Sequence, residues 1–219
     1  MRNIPFIAVE GPIGVGKSSL AQAISEQFGF YLLQEIVDEN PFLHKFYEDI
    51  SEWSFQTEMF FLCNRYKQLE DTERERLELG TPVAADYHVF KNLIFAKRTL
   101  KEDQYAKYVQ IYDILMRDKI KPNVVVYLTA GLDTLVNRIG KRGRDFEKAM
   151  SPDYLVQLAA DYEIFMEEFE RQHPGVPVLR FNGDKLDFVA NEKDRHHIFS
   201  KIGDTLEKGD QFHGFANKV

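Results

Sequence analysis

The sequence has few of the features that mark secreted or membrane proteins. Cysteine occurs once, as Cys63, so an intrachain disulfide is excluded and a reducing compartment, the cytoplasm, is expected. No run of roughly 18 uncharged apolar residues is present, so no transmembrane helix is expected. The short apolar stretch after Met1 is interrupted by Pro5 and closed by Glu10, which does not fit a signal peptide.

Positive charge is also scarce. Lys and Arg number 28 against 35 Asp and Glu, a formal net charge of −7. General nucleic-acid binders and proteins that bind anionic membranes need a net basic face, so neither kind of partner is expected. Hydrophobic residues make up 44% of the chain, enough for an ordinary buried core. We expect one domain over 1–219, with a flexible polar tail at 209–219.

Short apolar runs alternate with helical patterns along the chain. Strands are predicted at Ile4–Glu10, Tyr31–Gln34, Pro82–Asp86, Asn123–Thr129 and Val176–Phe181. Helices are predicted at 17–28, 51–79, 101–119, 131–141, 151–171 and 194–208. The run Val124–Leu128 is apolar on both faces, as in a strand covered by helices on both sides. This alternation predicts an α/β fold of three α/β/α layers with a five-stranded parallel sheet.

A phosphate-binding motif follows the first predicted strand. The segment Gly11-Pro12-Ile13-Gly14-Val15-Gly16-Lys17-Ser18 matches GxxxxGK[ST] in full and leads into a predicted helix. Glycines let backbone N–H groups close around phosphate oxygens, and the helix N-terminus adds positive partial charge. Lys17 would reach the β- and γ-phosphates, and the Ser18 hydroxyl would bind Mg²⁺. The sequence therefore predicts a P-loop NTPase fold that binds ATP or another triphosphate through Gly11, Gly14, Val15, Gly16, Lys17, Ser18 and Ser19.

Two other uses of a glycine-rich loop fit less well. A dinucleotide-binding GxGxxG loop would need glycine at the position of Ser19. A switch GTPase would need DxxG and NKxD, but no aspartate is followed three residues later by glycine, and the segment most like NKxD has Glu192 in place of lysine. A P-loop alone does not distinguish a kinase from a mechanical ATPase, so the residues that bind the second substrate must decide.

Two further patterns concern phosphate chemistry. Asp86 ends a predicted strand, the position of the Walker-B carboxylate that binds Mg²⁺ in P-loop proteins. Four basic residues lie within 138–144, at the end of a predicted helix and around Gly143. An arginine cluster with a glycine hinge predicts a small lid, over about 138–150, that closes on the transferring phosphate. A solvated charged face is the alternative.

The predicted helix 51–79 carries two charged residues among aromatic ones. Glu58 and Arg65 are seven residues apart, so both project from one face. Ionised glutamate only accepts hydrogen bonds, whereas the Watson–Crick edge of guanine offers two N–H donors and its Hoogsteen edge offers the O6 and N7 acceptors that arginine prefers. The pair complements guanine better than adenine. An internal ion pair between the two residues is the alternative.

The order and spacing of these segments resemble the deoxynucleoside kinase family, most closely its bacterial deoxyguanosine kinases. The likeness covers nearly the whole chain: the P-loop, Gln34-Glu35-Ile36-Val37, Trp53-Ser54-Phe55, Ala85-Asp86-Tyr87-His88, Arg142-Gly143-Arg144 and Leu186-Asp187-Phe188-Val189. The resemblance implies a homodimer that transfers the γ-phosphoryl group of ATP to the 5′-hydroxyl of a purine deoxynucleoside, most consistently deoxyguanosine.

The resemblance also implies roles for individual residues. Glu35 would take the proton of the attacking 5′-hydroxyl. The transferring phosphoryl group would be stabilised by Lys17, Arg138, Arg142 and Arg144, and Mg²⁺ would be held by Ser18 and Asp86. The sugar would contact Tyr47 and Glu147, and the acceptor base would contact Glu58, Arg65, Phe95 and either Asn92 or Lys91. The donor base would lie beside Asp184, Asp187 and Phe188.

One segment departs from the family pattern. The family has an acidic residue followed by Arg-Ser, and that arginine contacts the 5′ end of the acceptor, whereas this chain has Asp86-Tyr87-His88. The resemblance therefore leaves the role of that arginine unassigned, with the lid as one source of the charge.

Three other functions stay open on the sequence. A kinase for deoxyadenosine or another deoxynucleoside would need the same motifs. A nucleoside monophosphate kinase shares the P-loop and arginine lid, but it would need added basic groups for the acceptor's phosphate. A non-catalytic nucleotide-binding regulator would be expected to have lost residues such as Lys17 and Glu35, which are present.

Overall fold

The computed structural model describes residues 4–36, 39–145, 147 and 150–216, with side chains described up to Lys208. Strands β1 to β5 are Phe6–Glu10, Tyr31–Leu33, Val83–Ala85, Val124–Thr129 and Val178–Asn182. Helices α1 to α8 are Lys17–Phe28, Leu43–Glu48, Ile50–Thr72, Lys91–Thr99, Glu102–Met116, Leu132–Arg142, Pro152–Gln172 and Glu192–Ala216. Among these helices, none is both long enough and apolar enough to span a bilayer.

The five strands form one parallel sheet in the order β2-β3-β1-β4-β5. Ile7 of the central strand β1 pairs with Ala84 of β3 on one side and with Val124 of β4 on the other. The chain adds β2 and β3 on one side of β1 and then β4 and β5 on the other. In sheets of this kind ligands bind at the carboxyl edge, where the winding reverses. The predicted fold class is therefore confirmed.

Helices cover both faces of the sheet, because successive strand residues point to opposite sides. On one face, strand side chains such as Ile7 and Val126 pack against residues of α1 and α8, among them Ile24 and Ile198. On the other face, the residues next to them in the strands pack against α3, α5, α4 and α7. The side chains of β1 and β3 are buried throughout. The sheet is thus buried between helices, and the carboxyl ends of its parallel strands all lie at one edge.

Most predicted elements have their expected positions, with boundaries shifted by a few residues. The predicted helix 51–79 consists of α3 followed by a π-helical turn at Glu73–Leu77, and the last helix extends to Ala216. The predicted tail at 209–219 therefore overlaps a helix, and its flexibility stays a prediction. Two helices, α2 and α4, are missing from the sequence-based assignment. Their N-cap residues are Phe42 and Phe90, which offer no side-chain cap, so the usual start signal is absent.

Candidate active site

The loop between β1 and α1 forms a phosphate-sized cradle at the carboxyl edge of the sheet. Gly11 has φ 144°, and a Cβ at this position would lie 2.3 Å from the carbonyl oxygen of Leu128, so only glycine fits. Lys17 is the first residue of α1, and its Nζ donates to the carbonyl oxygens of Gly11 (2.8 Å) and Pro12 (3.0 Å). Burial lowers the pKa of Lys17 to about 8, helped by the positive charge of Lys91. A triphosphate in the cradle would favour the charged lysine.

Asp86 connects the cradle to the neighbouring strand ends. Its Oδ2 accepts a hydrogen bond from the Ser18 hydroxyl at 2.6 Å, and its Oδ1 accepts one from the Glu35 amide at 2.8 Å. The residue is only 5% exposed. A hydroxyl and a carboxylate at this spacing are oxygen ligands of the kind that Mg²⁺ takes, with phosphate oxygens and water completing its shell. Ser18 and Asp86 therefore fit a magnesium ion bound together with a triphosphate.

Glu35 follows β2 and lies at the centre of a compact charge network. Its Oε1 accepts hydrogen bonds from Nε (2.8 Å) and Nη2 of Arg65, and Lys91 Nζ lies 3.0 Å from Oε1 and 2.8 Å from Oε2. Burial alone would raise the pKa of Glu35, but the charges of Arg65 and Lys91 outweigh it and hold this pKa well below its usual range. Glu35 is therefore an ionised acceptor at every physiological pH.

A cavity of about 630 Å³ opens above Glu35, between the cradle and the end of α6. That volume is typical of a site for a small ligand. Most of the residues predicted from the sequence line it: Gly14, Gly16, Lys17, Ser18, Ser19, Glu35, Tyr47, Glu58, Arg65, Asp86, Phe95, Arg138, Arg142, Arg144, Glu147, Asp187 and Phe188. The structure thus brings segments from distant parts of the chain to one space.

Four predicted residues do not line this cavity. Gly11 and Val15 are buried in the P-loop beneath it. Asn92 is fully buried, and it accepts from Arg65 Nη1 (2.5 Å) while donating to the Tyr108 hydroxyl (2.8 Å), so it orients the arginine. Asp184 accepts from the amide of Gly131 (2.8 Å) in the turn that follows β4. The direct contacts predicted for these four residues with a nucleotide or nucleoside stay predictions.

Glu58 is the most unusual charge in the cavity wall. It is 2% exposed, its Oε1 accepts only a weak bond from Thr99 Oγ1 (3.3 Å), and its Oε2 is buried with no hydrogen-bond partner in the described part of the chain. No ion pair joins it to Arg65 there, since the guanidinium pairs with Glu35 instead. Burial raises the pKa of Glu58 to about 7, although the charge of Arg65 opposes this. The Oε2 of Glu58 is therefore available to accept a hydrogen bond from a ligand in the cavity.

The lid arginines make contacts at the other end of the cavity. Arg138 donates to the carbonyl oxygens of Val15 (2.8 Å) and Gly183 (3.0 Å), which ties α6 to the P-loop. Arg142 donates to both carboxylate oxygens of Glu147, at 3.2 Å for Nε to Oε2. Arg144 Nη1 lies 4.0 Å from the same carboxylate. Residues 146, 148 and 149 of the predicted lid, and Val37 of the predicted Gln34–Val37 motif, lie outside the described residues.

Two buried charges near the site were not placed there from the sequence. Glu10 ends β1 with 0% exposure, its Oε1 accepts from the His88 amide (2.6 Å), and burial raises its pKa to about 7. Lys91 lines the cavity and contacts Glu35, whereas the sequence named it only as an alternative to Asn92. A strand-end position was the only available signal for Glu10. The start of α4 would have indicated Lys91, but that helix has no recognisable cap.

A parallel sheet with a P-loop, a strand-end carboxylate and an arginine cluster around one cavity defines the class of P-loop phosphotransferases. The profile of the deoxynucleoside kinase family matches residues 7–207. This chain therefore belongs to the deoxynucleoside kinase family. The resemblance seen in the sequence is confirmed, and the chain is a kinase with a deoxynucleoside as acceptor.

Individual relatives agree with this assignment. The chain is 51% identical over 206 residues to a deoxyguanosine kinase of Bacillus subtilis (strain 168), covering 94% of this chain and 100% of that protein. It is 30% identical over 209 residues to a deoxyadenosine/deoxycytidine kinase of the same organism, covering 92% and 93%. The solved structure of a deoxyadenosine kinase from M. mycoides with bound dCTP matches with a TM-score of 0.75 at 26% identity, over 91% of this chain and 99% of that one.

The buried Glu58 carboxyl predicts a pH-dependent stability. Its pKa in the folded protein, about 7, lies above the ordinary value of 4.5, so the folded state binds more protons than the unfolded state between these values. Glu58 therefore destabilises the unliganded fold increasingly as pH rises from 4.5 to 7. Relative to the wild type, Glu58→Gln should gain up to about 3 kcal/mol of unfolding free energy over that window.

Urea unfolding at pH 5 and pH 7.5 measures this gain. Glu52→Gln, which removes an exposed carboxyl from the first turn of the same helix, is the matched control and should show a gap that is nearly constant with pH. If the difference in unfolding free energy between Glu58→Gln and the wild type were the same at both pH values, the pKa of Glu58 would not be raised in the folded protein.

Proposed function

We propose that this protein phosphorylates the 5′-hydroxyl of deoxyguanosine, with ATP as donor and Mg²⁺ as the metal ion, and releases dGMP and ADP. The observation that carries the choice of base is the unpartnered Oε2 of Glu58 in the cavity wall. The relative that is 51% identical and named a deoxyguanosine kinase supports the same choice.

Guanine has the groups that this end of the cavity needs. An ionised Glu58 accepts two hydrogen bonds, which N1–H and the 2-amino group of guanine supply, whereas adenine has no 2-amino group and an acceptor at N1. Arg65 uses three of its N–H groups on Glu35 and Asn92, which leaves two of its five for O6 or N7 of the base. Each hydrogen bond to this carboxylate that adenine cannot make costs roughly 1.5–3 kcal/mol, so adenine should be a much poorer acceptor base.

Phosphoryl transfer follows from the position of Glu35 beside the cradle. The 5′-oxygen attacks the γ-phosphorus, the bond from that phosphorus to the β–γ bridging oxygen breaks, and the proton of the 5′-hydroxyl passes to Glu35. Because the pKa of Glu35 is held low, its main contribution is to orient the hydroxyl for in-line attack. Lys17 and the lid arginines neutralise charge on the phosphates. Magnesium, held by Ser18 and Asp86, would neutralise further phosphate charge when bound.

Tyr47 and Glu147 line the part of the cavity proposed for the sugar. Burial and the negative charge of Glu147 raise the pKa of Tyr47, which stays a neutral hydrogen-bonding phenol. We assign the 3′-hydroxyl to Glu147 and the space beside C2′ to Tyr47, whose ring would crowd a 2′-hydroxyl. A preference for deoxyribose over ribose follows from that arrangement.

The proposal extends to a homodimer in the cytoplasm. Helices α5 and α7 expose the apolar side chains of Ile114 (66%), Ile164 (62%) and Val156 (50%), which a second copy would cover. The single cysteine fits a reducing compartment. Sedimentation velocity at micromolar concentration should give twice the mass of the chain, and Ile114→Lys combined with Ile164→Lys should reduce it to the mass of one chain. A wild-type protein that sediments as one chain would contradict the dimer.

Exchanging Glu58 for glutamine tests the proposed base recognition. The Glu58→Gln substitution keeps the size of the side chain but presents an N–H₂ group where guanine also presents donors. We expect kcat/KM for deoxyguanosine to fall about 10²-fold in Glu58→Gln and kcat/KM for deoxyadenosine to change by less than about tenfold. Initial rates at fixed Mg·ATP with deoxyguanosine, deoxyadenosine and guanosine give all the values needed, and wild-type guanosine efficiency should lie below that of deoxyguanosine.

The same assay separates the two parts of the proposal. Glu52→Gln serves as the control and should match the wild type on every acceptor, because its side chain is exposed and outside the cavity. Equal losses for deoxyguanosine and deoxyadenosine in Glu58→Gln would contradict base recognition by Glu58. A wild-type protein that phosphorylates deoxyadenosine more efficiently than deoxyguanosine would contradict the proposed substrate itself.

A further inference from the structure

Lys91 occupies a position that is unfavourable for a lysine. It is the first residue of α4, where the helix macrodipole places positive partial charge, and it is only 4% exposed. Taking an ammonium group out of water is costly, and a buried ion pair often adds little net stability. Stability of the fold alone therefore does not account for this ion pair. A function at the cavity would account for a buried lysine here.

The contacts of Lys91 are directed at Glu35. Its Nζ spans both carboxylate oxygens, at 2.8 Å from Oε2 and 3.0 Å from Oε1, and lies 5.6 Å from the centre of the Phe95 ring. Arg65 approaches the same carboxylate differently, because its Nε and Nη2 converge on Oε1 alone. With only Arg65 present the carboxylate could turn about its last bond. Lys91 is the contact that fixes the direction of Oε2.

The distribution of donors also determines which oxygen of Glu35 can accept a hydrogen bond from the substrate hydroxyl. Oε1 accepts from Arg65 and Lys91, whereas Oε2 accepts from Lys91 only. A carboxylate oxygen has two lone pairs, so Oε2 retains one for a further donor. The acceptor hydroxyl is that donor in the proposed reaction.

Among the described residues, no other cation donates a hydrogen bond to Oε2. Tyr87, the residue after Asp86, is 1% exposed, and its hydroxyl donates to Gln68 Oε1 at 2.8 Å, away from Glu35. Lys17 donates to P-loop carbonyls. Charged and titratable groups face Glu35 from every element around it. They are Lys17 from α1, Glu10 from β1, Tyr47 from α2, Asp86 and Tyr87 after β3, Glu58 and Arg65 from α3, Tyr162 from α7 and Lys91 from α4.

We propose that Lys91 is the positioning residue of the phosphoryl transfer: it aims Oε2 of Glu35 at the acceptor 5′-hydroxyl. The proposal rests on the proposed function, in which that hydroxyl attacks the γ-phosphorus. During the step the hydroxyl proton moves to Oε2, the O5′–Pγ bond forms and ADP leaves, while Lys91 stays protonated.

Lys91→Met tests this role, with Lys91→Arg as the conservative variant and Lys97→Met, an exposed lysine of the same helix, as the control. We expect kcat at saturating substrates to fall about 10²-fold in Lys91→Met, with the KM for ATP changed by less than about threefold. The kcat of this variant should also decline towards pH 5, whereas the wild type stays flat, because the pKa of Glu35 rises when a neighbouring cation is removed. Lys91→Arg should keep the flat profile.

A direct titration separates this inference from the proposed function. The carboxyl pKa of Glu35 is read by ¹³C NMR, with the signal assigned through Glu35→Gln, and should rise by at least about one unit in Lys91→Met but not in Lys97→Met. If the wild type phosphorylated no deoxynucleoside, the proposed function would fall, and the positioning role in transfer would fall with it; the titration would still report whether Lys91 holds the charge of Glu35.

Two results would overturn the inference on an active wild type. One is a folded Lys91→Met with wild-type kcat and an unchanged Glu35 titration. The other applies if Lys91→Met loses its thermal transition: Lys91→Gln then removes the charge and keeps a polar side chain at the same position. A folded Lys91→Gln with wild-type kcat and an unchanged Glu35 titration would overturn the inference equally.

Discussion

Two hydrogen bonds accepted by the Asp86 carboxylate hold the parts of the site together. One oxygen binds the Ser18 hydroxyl of the P-loop and the other binds the Glu35 amide at the end of β2. These two hydrogen bonds join the phosphate cradle to the Glu35 segment. Hydrogen bonds to a carboxylate are worth roughly 1.5–3 kcal/mol each, so together they hold the two parts of the site in a fixed relation. The strand order makes this possible, because β3 lies between β1 and β2.

The two ends of the cavity around this link offer different groups to a ligand. The chain is acidic overall, with a net charge of −7, yet Lys17, Arg65, Lys91 and the lid arginines all line one space. Glu35 and Glu147 are already paired with cations, whereas Glu58 retains a free oxygen. The phosphate end therefore offers positive groups, and the far end offers an acceptor. A nucleotide and a purine with N–H donors complement these two ends.

Sequence reasoning succeeded where the signal is local. The P-loop spacing, the alternation of strands and helices and the strand-end positions of Glu35 and Asp86 are all set by neighbours in the chain. It missed tertiary contacts that helical spacing does not show. Glu58 and Arg65 share a helix face, and the alternative of an ion pair between them is wrong, because Arg65 pairs with Glu35, 30 positions away in sequence. Lys91 was named only as an alternative contact for the base, and its contact with Glu35 was not predicted because the two residues are 56 positions apart.

The proposed function divides the site between the transfer and the recognition of the base. The P-loop, Asp86 and Glu35 are proposed to serve the transfer, which is the same for every acceptor. Glu58 lies outside that machinery, one helix away from the strand ends, and its exchange leaves the cradle intact. In the proposed function, selectivity for the base lies in this buried side chain, which accepts from Thr99, and in Arg65, which Asn92 orients.

Glu35 is proposed to orient the acceptor while the separate P-loop cradle binds the donor, and Glu35→Gln distinguishes these two roles. ATP binding, measured by titration calorimetry, should stay within about threefold of the wild type, because the cradle is untouched. The single-turnover rate of transfer from ATP to deoxyguanosine should fall about 10³-fold. A positioned acid or base contributes at least about 10²-fold to the rate. If a folded Glu35→Gln protein transferred the phosphoryl group within about tenfold of the wild-type rate, Glu35 would not be the residue that orients the acceptor.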